Sequence, residues 1–169
     1  NDRYLSELLI DTRCLIVLLF LVRAGLSLLV SPSLHYQLAS DVTFIGSYTV
    51  FSVLGSDQFF YSDENDSSAY DALDFQTAED EPDDLVGLTK VGGELWLFGD
   101  STIEIHQLTG GDLLFQRING ATKKIGCLTR DTISTMDNNV FWLGDDRFIY
   151  MNNGYQEVKI SNFAIDQVL

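Results

Sequence analysis

The hydrophobic and polar positions of this chain change pattern near Ser40. Residues Cys14 to Val30 are an almost unbroken apolar run interrupted by Arg23. Beyond Ser40, short alternating apolar stretches are separated by glycine, aspartate and asparagine, the punctuation of strands and hairpins. The run at Cys14–Val30 is seventeen residues long, short of the ~20 that span a bilayer. Asp2, Glu7 and Asp11 precede it where a secretory signal would be positive, and no clean cleavage site follows in residues 31–40. Membrane insertion is therefore disfavoured. The pattern predicts a helix or strand pair packed on the following domain and ended by Ser31-Pro32-Ser33, with the division at 1–40 and 41–169.

Three stretches of the second part can be superimposed: Tyr48 to Tyr61, Glu94 to Ile105 and Val140 to Tyr150. Each reads as a strand, a glycine-centred turn and a second strand, and Gly55, Gly99 and Gly144 fall 44 and 45 residues apart. Each stretch also follows a polar turn after an earlier short strand, at Gly46-Ser47, Gly92-Gly93 and Asp137-Asn138-Asn139. A period of roughly 40–50 residues with β-branched and aromatic alternation is that of a four-stranded propeller blade. Leu95 to Phe98 and Val140 to Leu143 are apolar on both faces, as inner strands stacked between neighbouring sheets must be. Gly55, Trp96, Gly99, Trp142 and Gly144 are the expected blade-core anchors. Outer strands are predicted at Asp112–Ile118 and Tyr155–Ile160, the latter entered through Asn152-Asn153-Gly154, and a short helix at Ser161–Leu169 with Ser161 or Asn162 as its cap. The fold class that follows is all-β, a propeller-like stack of antiparallel sheets with three blades at most. Such a stack leaves edges and a blade face exposed, to be capped, covered by another copy or continued in something longer.

Charge changes the picture in one place. The chain has 169 residues, 25 acidic and 10 basic side chains and a net charge of −15, which disfavours adhesive contact with nucleic acid or anionic lipid. No lysine or arginine occurs from Ala24 to Thr89, while Asp63, Glu64, Asp66, Asp71, Asp74, Glu79, Asp80, Glu81, Asp83 and Asp84 crowd into 22 residues. A solvated loop, a cation site and a surface facing another polyanion are the readings of such a run. As a calcium loop from Asp63 it is a poor match, with Ser68 where the sharp turn needs glycine and Asp74 where a bidentate glutamate is usual. As a glycosidase pair, Asp63, Asp66 and Asp74 would have to converge across a pocket, which spacing alone does not establish. Tyr70, Leu73 and Phe75 are expected to anchor the loop on the sheet.

Other chemistry is sparse. His35 and His106 are isolated, Cys14 and Cys127 form neither a disulfide framework nor a metal pattern and are expected to be buried thiols, and no nucleophile elbow is present. Arg117, Lys123, Lys124 and Arg130 are the one local basic cluster. No catalytic, cofactor or metal site is assigned.

Several motifs occurring in one order carry a resemblance: residues 55–63, 71–79, 82–87, 94–99, Ile125-Gly-Cys127, 138–144 and Asn153-Gly-Tyr155. From about Asp41 to the C-terminus the chain resembles the packaged DNA stabilisation proteins of short-tailed phages, the tail hub or nozzle proteins. The resemblance implies a non-enzymatic virion component that forms a hexameric ring below the portal and its adaptor, retains packaged DNA, carries the tail needle and tailspikes, and is made in the host cytoplasm. Members of that family are several hundred residues long, so the sequence reads as a truncated prophage copy with an altered N-terminus. An acidic ring surface would let DNA pass without holding it, and the Asp63–Asp84 segment is expected to face the lumen or a neighbouring subunit. A propeller hydrolase acting on glycans through the loop carboxylates is the alternative.

Overall fold

The computed structural model of the chain describes residues 28–30, 37–71, 73–78, 83–111, 113–162 and 165. They build three antiparallel sheets. Sheet I holds β1 (Leu28–Val30), β2 (Gln37–Ile45), β3 (Tyr48–Val53), β4 (Gln58–Tyr61) and β5 (Phe75–Thr77). Sheet II holds β6 (Leu85–Val91), β7 (Glu94–Gly99), β8 (Ile103–Leu108) and β9 (Phe115–Arg117), and sheet III holds β10 (Ser134–Met136), β11 (Asn139–Leu143), β12 (Ile149–Asn153) and β13 (Gln156–Lys159). In each sheet the strands lie in chain order, which is the up-and-down meander of a propeller blade. The all-β, three-blade reading therefore holds.

Local chemistry sets the hairpins. Gly92-Gly93 joins Val91 to its partner Glu94, and Asp137-Asn138 joins Met136 to Asn139. All four turn residues have positive φ, at 62° and 93° and at 48° and 67°, the tight turn whose twist matches that of the strands. Aspartate and asparagine tolerate this region because their short side chains hydrogen-bond locally. The repeat glycines share a position but not a cause. Gly55 has a φ of 67°, whereas a Cβ on Gly99 would lie 2.2 Å from Asp83 Oδ2 and one on Gly144 2.6 Å from Asp146 Oδ1.

Several boundaries move. Among the described residues sheet I starts at Leu28, whose strand pairs with Leu38 and Ala39 on β2, so strand structure is present upstream of Asp41. The remainder of the apolar N-terminal run, with Cys14, lies outside the described residues. The two outer strands are shorter than expected, and Asn153 is the last residue of β12, paired with Gln156. The turn is thus Gly154-Tyr155, one residue later than the Asn-Gly pair suggested. Asn152 points inward instead, its Oδ1 accepting the Val140 N–H at 2.6 Å. The outer strand of sheet I, β5, lies within the acidic segment, where no strand is expected from the pattern. The predicted C-terminal helix lies mostly outside the described residues; at its start Asn162 Oδ1 accepts the Ile165 N–H at 3.2 Å, as a helix cap does.

Period-2 alternation gives every sheet two faces, and the sheets stack by those faces. The forward face of sheet I, with Val50 and Phe59, packs on the rear face of sheet II, with Leu95, Leu97 and Phe115. Sheet II repeats the arrangement with Trp96, Phe98, Ile103 and Ile105 forward, against Val140, Trp142 and Tyr150 of sheet III. Trp96 and Trp142 are each 1% exposed.

Polar side chains tie the stack together at its inner and outer ends. At the inner strands, a bulge in β2 between Ala39 and Asp41 turns the Asp41 carboxylate inward, where it accepts the N–H groups of Val42 (2.9 Å) and of Leu88 on β6 (3.1 Å). The Arg130 guanidinium donates to the Ser40 carbonyl, drawing the segment before β10 to the same edge. At the outer strands, the Gln76 amide donates to the Phe115 carbonyl (2.8 Å) and accepts its N–H (3.0 Å). Asp41 sits between the sheets and is 4% exposed, so Asp41→Ala leaves a buried N–H unsatisfied, at a cost of about 1–3 kcal/mol. Trp142→Ala is expected to cost about 3–5 kcal/mol. Urea denaturation should rank Trp142→Ala as the larger loss and show Leu73→Ala, at an exposed position, close to zero.

Candidate functional site

The acidic segment folds as two separate groups rather than one surface. The first is the loop between β4 and β5. Ser62 is buried and accepts the Thr49 N–H at 3.0 Å, the Asn65 N–H reaches the Ser47 carbonyl at 2.9 Å, and Asp63 forms a bridge with Asp66. Asp66 Oδ1 accepts both the N–H (2.9 Å) and the hydroxyl (2.6 Å) of Ser68, an Asx turn that holds its pKa below the usual carboxylate value. Asp71 Oδ1 accepts the Leu73 N–H at 3.0 Å. Asp63, Glu64, Asp66 and Asp71 are exposed.

Only one of the three expected anchors holds the loop down. Tyr70 lays its ring edge-on against Phe51 and Phe60 and donates its hydroxyl to the Ser67 carbonyl at 2.6 Å. Leu73 is 80% exposed and Phe75 46% exposed, because the Asx turn at Asp71 and the short β5 direct both outward. Asp74 is the one carboxyl of this group partly withdrawn from water. Its partial burial, then the charges of Asp71 and Asp63, push its pKa up.

The second group lies at the link from sheet I to sheet II. Asp83 is buried, and its Oδ2 accepts the N–H of Ser101 (2.8 Å), the N–H of Thr102 (2.7 Å) and the Thr102 hydroxyl (3.1 Å). It caps the β7–β8 turn and is a structural carboxylate, not a surface one. Asp84 is exposed beside it, and partial desolvation, then the charges of Asp83 and Asp84, raise the pKa of Asp100. Glu79, Asp80 and Glu81 lie outside the described residues.

Among the described residues no three histidine, cysteine, aspartate or glutamate side chains are placed to hold a metal ion. Asp63, Asp66 and Asp74 do not line three cavities of about 410, 220 and 200 Å³ formed by the described residues. A cavity of about 410 Å³ opens instead between the outer strands of sheets I and II, lined by Glu104, His106, Gln116 and Arg117. His106 Nε2–H donates to Glu104 Oε2 at 3.0 Å, with both side chains buried, and the imidazole meets Phe59 edge-on. The His106–Glu104 pair escapes sequence reasoning because two polar residues alternating on a strand read as solvent-facing until a neighbouring sheet covers them.

The basic residues also disperse. Arg117 belongs to that cavity, Lys124 is exposed, and Arg130 bridges to β2. Lys123 is 2% exposed and donates to the Tyr155 carbonyl at 2.5 Å; burial lowers its pKa while Glu157 opposes the shift. Cys127 is buried as a free thiol, its pKa raised by desolvation.

Comparison with protein families is decisive for this fold. Residues 23–169 match the Phage_stabilise family, described as Bacteriophage P22 Gp10, beta-propeller. The chain belongs to this family. A comparison with curated proteins found no match. The Phage_stabilise match runs through all three sheets and places the chain among phage proteins of a structural kind. No helix among the described residues is long and apolar enough to cross a membrane.

Two expectations follow for the acidic groups. Asp83→Ala removes the acceptor of three hydrogen bonds at a buried turn and should destabilise by about 2–3 kcal/mol in urea denaturation, whereas Asp66→Ala at its exposed turn should leave the urea midpoint close to that of the wild type. For Asp74 and Asp100, a folded-state pKa above the unfolded one makes their ionisation oppose folding. Asp100→Asn should therefore raise the melting midpoint at pH 7, and the gain should vanish as pH falls into the carboxylate range, read by thermal melts across pH.

Proposed function

We propose that this chain is a structural component of a short-tailed phage tail, a hub or nozzle protein that closes the portal channel and retains packaged DNA. The observation that carries the reading is the family match over residues 23–169, and the stacked sheets agree with it. In this role the protein works as a ring of copies, six by the resemblance, between the portal adaptor above and the tail needle and tailspikes below, in the virion after assembly from the host cytoplasm.

The physics of retention follows from the charge. A net charge of −15 with exposed carboxylates at Asp63, Glu64, Asp66, Asp71 and Asp84 repels phosphate at short range and offers no set of cations whose counterion release would hold a duplex. Retention then comes from mechanical closure, and the same surface lets DNA leave once closure is released. In this reading the Asp63–Asp84 segment, including the β4–β5 loop, faces the lumen of the ring or a neighbouring subunit.

The role is tested on particles. Virions assembled without this chain should package DNA and then lose it, and supplying the chain should restore nuclease-resistant DNA; full retention in its absence would overturn the reading. The charge argument has its own measurement. The chain should show no salt-dependent binding to duplex DNA near ~0.15 M salt, and lysine at Asp63, Glu64, Asp66 and Asp71 should create binding whose logarithm falls linearly with the logarithm of salt.

A further inference from the structure

The cavity of about 410 Å³ between the outer strands of sheets I and II has no part in the role proposed above, and its floor is polar. Alternation along β8 puts Glu104 and His106 on one face of sheet II, and pairing with β9 places Arg117 opposite His106. All three line the cavity. Glu104 is 2% and His106 4% exposed, so this polarity is built in rather than left at the surface. The Nε2–H of His106 is committed to Glu104 at 3.0 Å. The other ring nitrogen, Nδ1, is buried without a hydrogen-bond partner, which few buried polar atoms are.

Aromatic rings lead up to this floor. Phe59 stands edge-on to His106 at 5.8 Å and to Phe115 at 5.9 Å, and Tyr61 stands edge-on to Phe115 at 5.6 Å. Phe115 lines the cavity and is 1% exposed, whereas two other apolar lining residues are left in water, Phe75 at 46% and Leu113 at 60%. A recess with a buried polar group and an exposed apolar surround has the anatomy of an interface core. Charge narrows the choice of partner. Phe75 follows directly on the half-buried Asp74 and the exposed Asp71, on a loop without lysine or arginine, while Arg117 stands at the end of β9 remote from Leu113. The surround is therefore acidic on the Phe75 side.

We propose that this cavity docks a tyrosine side chain of a partner protein, carried on a segment with lysine or arginine beside it. The ring continues the edge-to-face series and covers Phe75 and Leu113, and its hydroxyl meets His106 Nδ1. A phenol serves that nitrogen in either protonation state, donating to the lone pair of the neutral ring or accepting from the N–H of the charged one. Phenylalanine leaves Nδ1 unpaired, and an indole N–H serves only the neutral ring. The flanking cations face Asp71 and Asp74. The apolar surround extends past the polar floor, which gives a protein segment more to cover than a free small aromatic can. The inference rests on the cavity and is independent of the tail role.

NMR of the intact chain with isotope-labelled histidine tests it, the ring of His106 being told from that of His35 by a His35→Gln variant. The probes are capped tripeptides: Lys-Tyr-Lys, Lys-Phe-Lys, Lys-Ala-Lys and Glu-Tyr-Glu. Lys-Tyr-Lys should shift the His106 ring signals saturably, with a Kd on the order of 1 mM. Lys-Phe-Lys should bind ~2- to 10-fold more weakly for want of one hydrogen bond, and the other two should not saturate. Leu113→Arg, at an exposed loop position and checked for folding by circular dichroism, should weaken Lys-Tyr-Lys at least ~10-fold. Phe44→Arg, which does not line the cavity, should leave it unchanged. No saturable shift up to roughly 10 mM, equal binding of Lys-Tyr-Lys and Lys-Ala-Lys, or binding untouched by Leu113→Arg would overturn the proposal. So would free p-cresol binding as tightly as Lys-Tyr-Lys, since the cavity would then be a site for small aromatics.

Discussion

The structure depends on one constraint: a strand that is apolar on both faces is stable only between two neighbours. Leu95, Trp96, Leu97 and Phe98 are all at most 1% exposed because β7 lies in the middle of sheet II and sheet II lies in the middle of the stack. The alternate side chains belong to two different cores, one shared with sheet I and one with sheet III. Burial of such side chains, worth roughly 1.5–3 kcal/mol each, cannot be realised by a single meander, so the sheets stabilise one another in series, as in other repeat architectures. Among the described residues the forward face of sheet III, with Phe141, Leu143, Ile149 and Met151, is only half-buried.

Against that apolar background, the buried polar groups serve registry. Asp41 links β2 to β6 and Gln76 links β5 to β9, one at the inner and one at the outer end of the same sheet pair. Asp83 fixes the β7–β8 turn from the linker that precedes sheet II. Each satisfies backbone groups that would otherwise be buried without partners, and a hydrophobic contact, which has no direction, could not set the stagger of one sheet on the next. The acidic character of the chain thereby divides. Some carboxylates are consumed in construction, and the exposed remainder repels other polyanions.

A local reading of the residues goes far for the fold and less far for the site. The glycine repeat, the two-faced apolar runs at Leu95–Phe98 and Val140–Leu143 and the polar turns expose the blade pattern, because strand alternation and tight-turn chemistry are local. The outer strand β5 is hidden in a segment dominated by charge, and the final hairpin slips by one residue because Asn152 satisfies a backbone group on β11 rather than the turn. Leu73 looks like an anchor by composition and is exposed, while Asp83 looks like a surface acid and is buried.

The sequence by itself determined what is local: strands, their turns, the period of the blade, the sign of the charge and the motif order shared with a phage propeller family. Only the tertiary structure decided which polar residues were spent inside. Asp83, Asp41, Gln76 and the His106–Glu104 pair are indistinguishable from solvent-facing residues along the chain; Asp41 and Gln76 find partners on strands far away in sequence, Asp83 finds them in the turn after β7, and His106 and Glu104 pair with each other beside Phe59 of the neighbouring sheet. Which apolar faces are covered is likewise a property of stacking. Phe98 and Leu143 occupy equivalent positions with similar chemistry, and they differ because a neighbouring sheet covers only Phe98.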